Sequence, residues 1–113
     1  MFKGGTIMFD DLLEALNDTG IPFTAYRWDT APASPYGTAQ LEGAGDTVAG
    51  DNAIQEQAIR GSVDLYAPDE DMLYPETVQG VLNEMVAWRL NSTQVESSPR
   101  LIHYEWVFEL EGF

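Results

Sequence analysis

Apolar and polar positions recur with two different periods along this chain, and the change of period divides it into helices and strands. Over residues 7–19, Phe9, Leu12, Leu13 and Leu16 stand at i, i+3, i+4 and i+7, which places them on one face of a helix. Asp10, Asp11 and Glu14 lie near its start, where carboxylates suit the positive end of the helix dipole. Gly20, with Pro22 just beyond, marks the stop. Residues 23–28 (Phe-Thr-Ala-Tyr-Arg-Trp) favour a strand. A Pro-containing loop from Asp29 to Pro35 leads to a short strand over Tyr36–Leu41. Glu42 to Asn52 is glycine-rich, with Val48 its one heavy apolar residue, and reads as a long loop. In so small a domain such a loop is functional or disordered.

Residues 54–66 predict a long strand with one buried and one wet face. Ile59, Val63 and Leu65 share one parity, and Glu56, Arg60 and Asp64 share the other. Gly61 lies on the buried parity, which predicts a bulge or a close packing approach. After a turn at Pro68–Asp71, a second helix is expected over Pro75–Val86, with Pro75 in the first helical position. Val78, Val81, Leu82 and Met85 form its apolar stripe. Gly80 inside it costs about 1 kcal/mol relative to Ala and is expected to let another element approach. Two strands follow, Trp88–Val95 and Leu101–Leu110, joined by Ser97-Ser98-Pro99. In the last, Ile102, Tyr104, Trp106, Phe108 and Leu110 share one face, and Leu101, His103, Glu105, Val107 and Glu109 the other. The expectation is therefore an α+β fold in the order α-β-β-β-α-β-β. A curved, mainly antiparallel sheet of about five strands carries two helices packed on one face.

The 113 residues suit one domain, 1–113, with enough apolar side chains for a core that needs no staple. With no cysteine, disulfides and thiolate metal sites are excluded, which fits a reducing cytoplasm. No apolar run follows Met1–Gly5 to make a signal peptide, and none approaches the about 20 residues of a membrane span. The sequons at Asn17 and Asn91 then read as chance matches. Nineteen Asp and Glu oppose five Lys and Arg, a formal net charge of −14. Such a surface repels nucleic acid and excludes a general DNA-binding role. The acidic residues are spread along the chain, Asp69-Glu70-Asp71 being the longest run, and read first as a solvated surface.

Chemistry-bearing patterns are sparse. The single histidine, His103, falls on the more polar face of its strand, and the sequence names no partner for it. Asp46 and Asp51 flank the glycine-rich loop and are the best pair for acid/base work, and with Asn52 they offer oxygen ligands to calcium without the EF-hand spacing. Gly43, Gly45 and Gly50 match no phosphate-binding loop, and there is no nucleophile elbow. The expected enzyme, cofactor and metal assignments are therefore none. Tyr26, Trp28 and Tyr36 gather around the Pro-rich turn; they are core residues or, if exposed, interface anchors.

A family resemblance rests on short segments. They are Thr19-Gly20-Ile21-Pro22-Phe23-Thr24-Ala25-Tyr26 with Trp28, Pro35-Tyr36-Gly37, Gly50-Asp51-Asn52 and Val63-Asp64-Leu65-Tyr66, followed by a helix and an aromatic-rich last strand. Together they resemble the tail terminator, or tail completion, proteins of long-tailed bacteriophages. Val48-Ala49-Gly50 departs from the family pattern, which has a bulky residue before the Asp-Asn loop. The resemblance implies a virion structural protein made in the bacterial cytoplasm. It would form a ring, commonly a hexamer, that caps the tail tube and ends its polymerisation. The ring would join the tail to the head connector or stopper protein, and DNA would pass through its acidic lumen without specific binding. Tyr26, Trp28, Tyr36, Gly45, Asp46, Val48, Gly50, Asp51 and Asn52 are then expected at subunit or tube contacts. A head completion or neck stopper protein is the nearest alternative. An acidic inhibitor that mimics DNA is a second, and a carboxylate-based hydrolase a third.

Overall fold

The computed structural model describes residues 8–44, 59–68, 71–97 and 100–110. The elements are α1 (Phe9–Asn17), β1 (Phe23–Ala25), β2 (Tyr36–Ala44), β3 (Ile59–Ala67), α2 (Leu73–Met85), β4 (Ala87–Ser97) and β5 (Arg100–Leu110). They form one five-stranded open sheet in the order β1-β2-β3-β5-β4, an α+β fold with the expected element order.

The first helix forms where its periodicity says. The Met8 N–H donates to the Asp11 carboxylate at 3.2 Å, so a free amide at the helix start is satisfied. Leu12 and Leu16 are buried, with Phe9 and Leu13 packed against the same core. At the other end Gly20 adopts φ +96°, a left-handed turn that a side chain disfavours. The Asn17 side chain then ties α1 to β1. Its Oδ1 accepts the Phe23 N–H at 2.9 Å and its Nδ2 donates to the Phe23 carbonyl at 3.0 Å.

β1 is shorter than the pattern suggests. Tyr26 takes φ 69°, outside strand geometry, so the strand stops at Ala25. Residues 26–35 then carry the chain back to the start of the next strand, and β1 pairs with β2 in parallel, Phe23 opposite Gly37. Every other pairing is antiparallel. β2 runs on to Ala44, past the expected loop start at Glu42, with a register shift between Leu41 and Gly43. The remainder of the predicted loop and residues 54–58 of the predicted third strand lie outside the described residues.

One sheet parity faces the helices. Phe23, Ala39, Val63, Leu65, Trp106, Phe108 and Leu110 bury there with Leu12, Leu16, Val78 and Leu82. Gly61 meets both expectations: a methyl there would overlap the Gln40 carbonyl and the Phe108 ring, and its partner Leu41 borders the register shift in β2. α2 begins two residues earlier than expected because the Asp71 carboxylate accepts the Leu73 N–H at 3.0 Å. Pro75 is therefore third in the helix, still within the first turn, where a missing N–H costs no helical bond. Gly80 corrects a second expectation: it is exposed, and nothing lies within 4 Å of where its Cβ would stand. No element approaches it, so Gly80→Ala should stabilise the fold by about 0.5–1 kcal/mol. Urea denaturation checks this, and a lower midpoint would refute it.

Among the described residues no helix is long and apolar enough to cross a membrane.

Candidate functional site

The face of the sheet opposite the helices collects the polar parity of every long strand. The register sets Tyr36 opposite Tyr66 and Tyr66 opposite His103, so three rings cross three adjacent strands. They stack as a ladder. The Tyr36 and Tyr66 ring centroids are 5.1 Å apart at 19°, and those of Tyr66 and His103 are 4.2 Å apart at 16°. Beside the ladder, Asp64 Oδ1 lies 2.8 Å from His103 Nε2, and Glu96 Oε2 lies 3.7 Å from His103 Nδ1. The imidazole thus has a carboxylate at each nitrogen, and both Asp64 and His103 are largely shielded from solvent.

This arrangement favours the imidazolium. The hydrogen bond to Asp64 holds the His103 pKa above its ordinary 6.5 against the opposing effect of burial, and the charges of Asp64, Glu96 and Glu105 add to the rise. Burial raises the Tyr66 phenol above its ordinary value, helped by the charges of Asp64, Tyr36, Glu96 and Glu105. Around the dyad, Ser62 Oγ donates to Glu42 at 2.9 Å and Asn91 Nδ2 donates to Glu105 at 3.0 Å. Among the described residues no hydroxyl hydrogen-bonds the imidazole, and no group of acidic and histidine side chains has the geometry to hold a metal ion. What the dyad does chemically is hold β3 to β5 with a hydrogen bond that titrates, while Glu96 of β4 adds its charge from 3.7 Å.

The sign of that titration follows from the raised pKa. The stabilisation is fully present below the unfolded value of 6.5 and is lost as pH rises through the higher folded value. Melting temperatures taken from pH 6 upward should fall for the wild type relative to His103→Gln across that window. Parallel curves for the two proteins would show that the dyad does not couple folding to pH.

The aromatic residues expected at an interface go to separate environments. Tyr26 is 55% exposed, its N–H held by the Ala39 carbonyl at 2.9 Å. Trp28 turns inward and donates its Nε1 to the Gly37 carbonyl at 3.0 Å, which pins the Pro-containing loop to β2. Tyr36 joins the ladder on the open face. Gly45, Asp46, Val48, Gly50, Asp51 and Asn52 lie outside the described residues. The sequence provided no partner for His103; the structure provides Asp64. Both stand on the polar parity of their strands, but their meeting depends on the β3–β5 register, which no local pattern encodes.

A second feature also escaped the alternation. β4 is an eleven-residue edge strand. By register Leu90 and Val95 stand on the core parity, opposite Trp106 and Ile102. The helices do not cover them, and they are 46% and 58% exposed. The two edges of the sheet therefore differ. At β1 both backbone groups of Phe23 are taken by Asn17. At β4 the outer edge pairs with no other described strand, and its main interruption is the register shift between Leu90 and Ser92.

No protein-family model matches this chain, and no curated protein matches it significantly. Among solved structures, one whose name states no function aligns over 95% of this chain and 99% of its own, at 14% identity and a TM-score of 0.44. A likeness that distant carries no argument, and what the chain does has to be read from its own surfaces.

Proposed function

We propose that this protein is a non-enzymatic structural component of a phage virion, a tail terminator whose subunits form a ring, most simply a hexamer, on the tail tube. In this reading the ring ends tube polymerisation and joins the tail to the head connector. The observation that carries it is the β4 edge, a long strand with exposed Leu90 and Val95 and no described neighbour on its outer side. Proteins that work alone blunt such edges, because an open edge with apolar side chains recruits another chain. The segments around Gly20–Tyr26, Pro35–Gly37 and Val63–Tyr66 that resemble the family support the same reading, as does the charge of −14, which would keep passing DNA from adhering to a lumen.

The test is the native mass of the purified protein, measured alone and after mixing with tail tubes. A closed oligomer in either condition, with tubes that stop growing at fixed length, is the expected result. A chain that remains monomeric and ignores tubes would remove the reading.

A further inference from the structure

We propose that the open depression beside β4 that holds Arg60 and Arg89 receives the acidic face of α1 from a second copy of this chain, so that copies join head to tail. The inference rests on the ring reading and specifies its contact.

The depression has a volume of about 180 Å³ and is lined by Arg60, Ala87, Arg89, Val107 and Glu109 among others. Two of the chain's five basic residues therefore share one small site. Among the described residues neither side chain forms an ion pair. Arg89 reaches only the neutral Asn91 amide, at 3.4 Å. Arg60 is half-buried in the middle of the sheet, where its backbone pairs with Gly43 and Glu109, and its side chain makes no hydrogen bond or salt bridge among the described residues. Two guanidiniums thus converge on one depression with a single carboxylate, that of Glu109, among its lining residues, an excess of positive charge that suits an anion.

The complementary surface is on the same molecule, at the other edge of the sheet. On α1, Asp10, Glu14 and Asp18 recur every four residues and are all exposed. Asp18 stands at the C-terminal cap with no basic residue in the last turn, so its charge meets the negative end of the helix dipole uncompensated. A guanidinium delivered there would relieve that repulsion. α1 packs beside β1, whereas the arginines sit by β4, so one molecule cannot satisfy both surfaces with each other. Unlike patches on opposite edges make a heterologous contact, and such contacts close into rings when the rotation between copies permits.

The experiment uses two full-length variants, each checked by thermal melting: Arg60→Gln with Arg89→Ala, and Asp10→Ala with Glu14→Ala and Asp18→Ala. Assembly is read as native mass at about 0.15 M salt, in whichever condition, alone or on tubes, the wild type assembles. Each variant should show association weakened by about tenfold or more. An equimolar mixture should give a one-to-one dimer and nothing larger, because only one intact contact remains between them. If the wild type forms rings and either variant forms them equally well, the inference fails while the ring reading stands. If the wild type forms no closed oligomer in either condition, both fail. If the arginine variant assembles normally but loses retention of a labelled DNA duplex that the wild type shows, the site belongs to nucleic-acid phosphate and the inference is overturned.

Discussion

Trp106→Ala should lower the stability of this fold by about 3–5 kcal/mol, the cost of removing a fully buried indole. Trp106 is 0% exposed, the largest such side chain among the described residues. It stands on β5 between Val63 of β3 and Leu90 of β4, and its ring lies 5.6 Å from that of Tyr104 at an angle of 11°. Its Nε1 donates to Gln79 Oε1 of α2 at 3.0 Å, so one side chain joins the sheet to the second helix by both packing and a hydrogen bond. Truncation opens a cavity under α2 and leaves the Gln79 oxygen without its donor. Trp106→Phe separates the two contributions. It keeps most of the apolar volume and loses the bond, at a cost of about 1–2 kcal/mol for the bond itself. Since small domains hold only about 5–15 kcal/mol in all, the alanine variant should be partly unfolded at moderate temperature. Chemical denaturation measures both variants, and a loss below about 1 kcal/mol for Trp106→Ala would show that this joint is not where the core is held.

Gly37→Ala should be nearly as damaging although it adds a single methyl group. Gly37 is buried on β2 between Phe23 of β1 and Leu65 of β3. A Cβ at this position would overlap the Phe23 ring and the Asp64 carbonyl. The ring can shift by repacking, but the carbonyl belongs to the backbone of a paired strand and moves only if the ladder opens. The expected loss is about 3 kcal/mol or more. Pairing the change with Phe23→Leu should recover only part of it, because the carbonyl remains. Full recovery in that double variant, or a neutral effect of Gly37→Ala alone, would mean that the close approach of these strands is not required. Gly80→Ala is the natural control: the same substitution in open space should raise stability.

These contrasts show where sequence was informative. The helical stripe of Phe9, Leu12, Leu13 and Leu16 and the alternation of Trp106, Phe108 and Leu110 are local consequences of period, and the elements formed where those periods placed them. Element ends were less legible. Tyr26 terminates β1 through a positive φ in a tract of strand-favouring residues, and α2 begins at Leu73 because of the Asp71 carboxylate. Tyr36 was readable as a candidate surface aromatic, but its partners Tyr66 and His103 were not. They meet through the antiparallel registers β2–β3 and β3–β5, and pairings between strands this distant in sequence leave no local pattern. Leu90 and Val95 show the opposite failure. Five residues apart, they would alternate to opposite faces; the register shift between Leu90 and Ser92 brings both to the core face, and the positions of the helices leave them uncovered there.

The strand order also constrains when the fold can form. β5 is made after every other described element, yet it lies between β3 and β4 and bonds to both. Until it emerges from the ribosome, β4 has no strand to pair with, and β3 pairs only with β2. The nascent chain must therefore wait with two apolar strand flanks open, and docking of β5 completes the sheet in a single late event. Assembly surfaces that depend on a finished β4, its outer edge and the arginines beside it, cannot exist on a partly made chain. In the proposed ring, subunits would therefore join one another only after β5 has been made and docked.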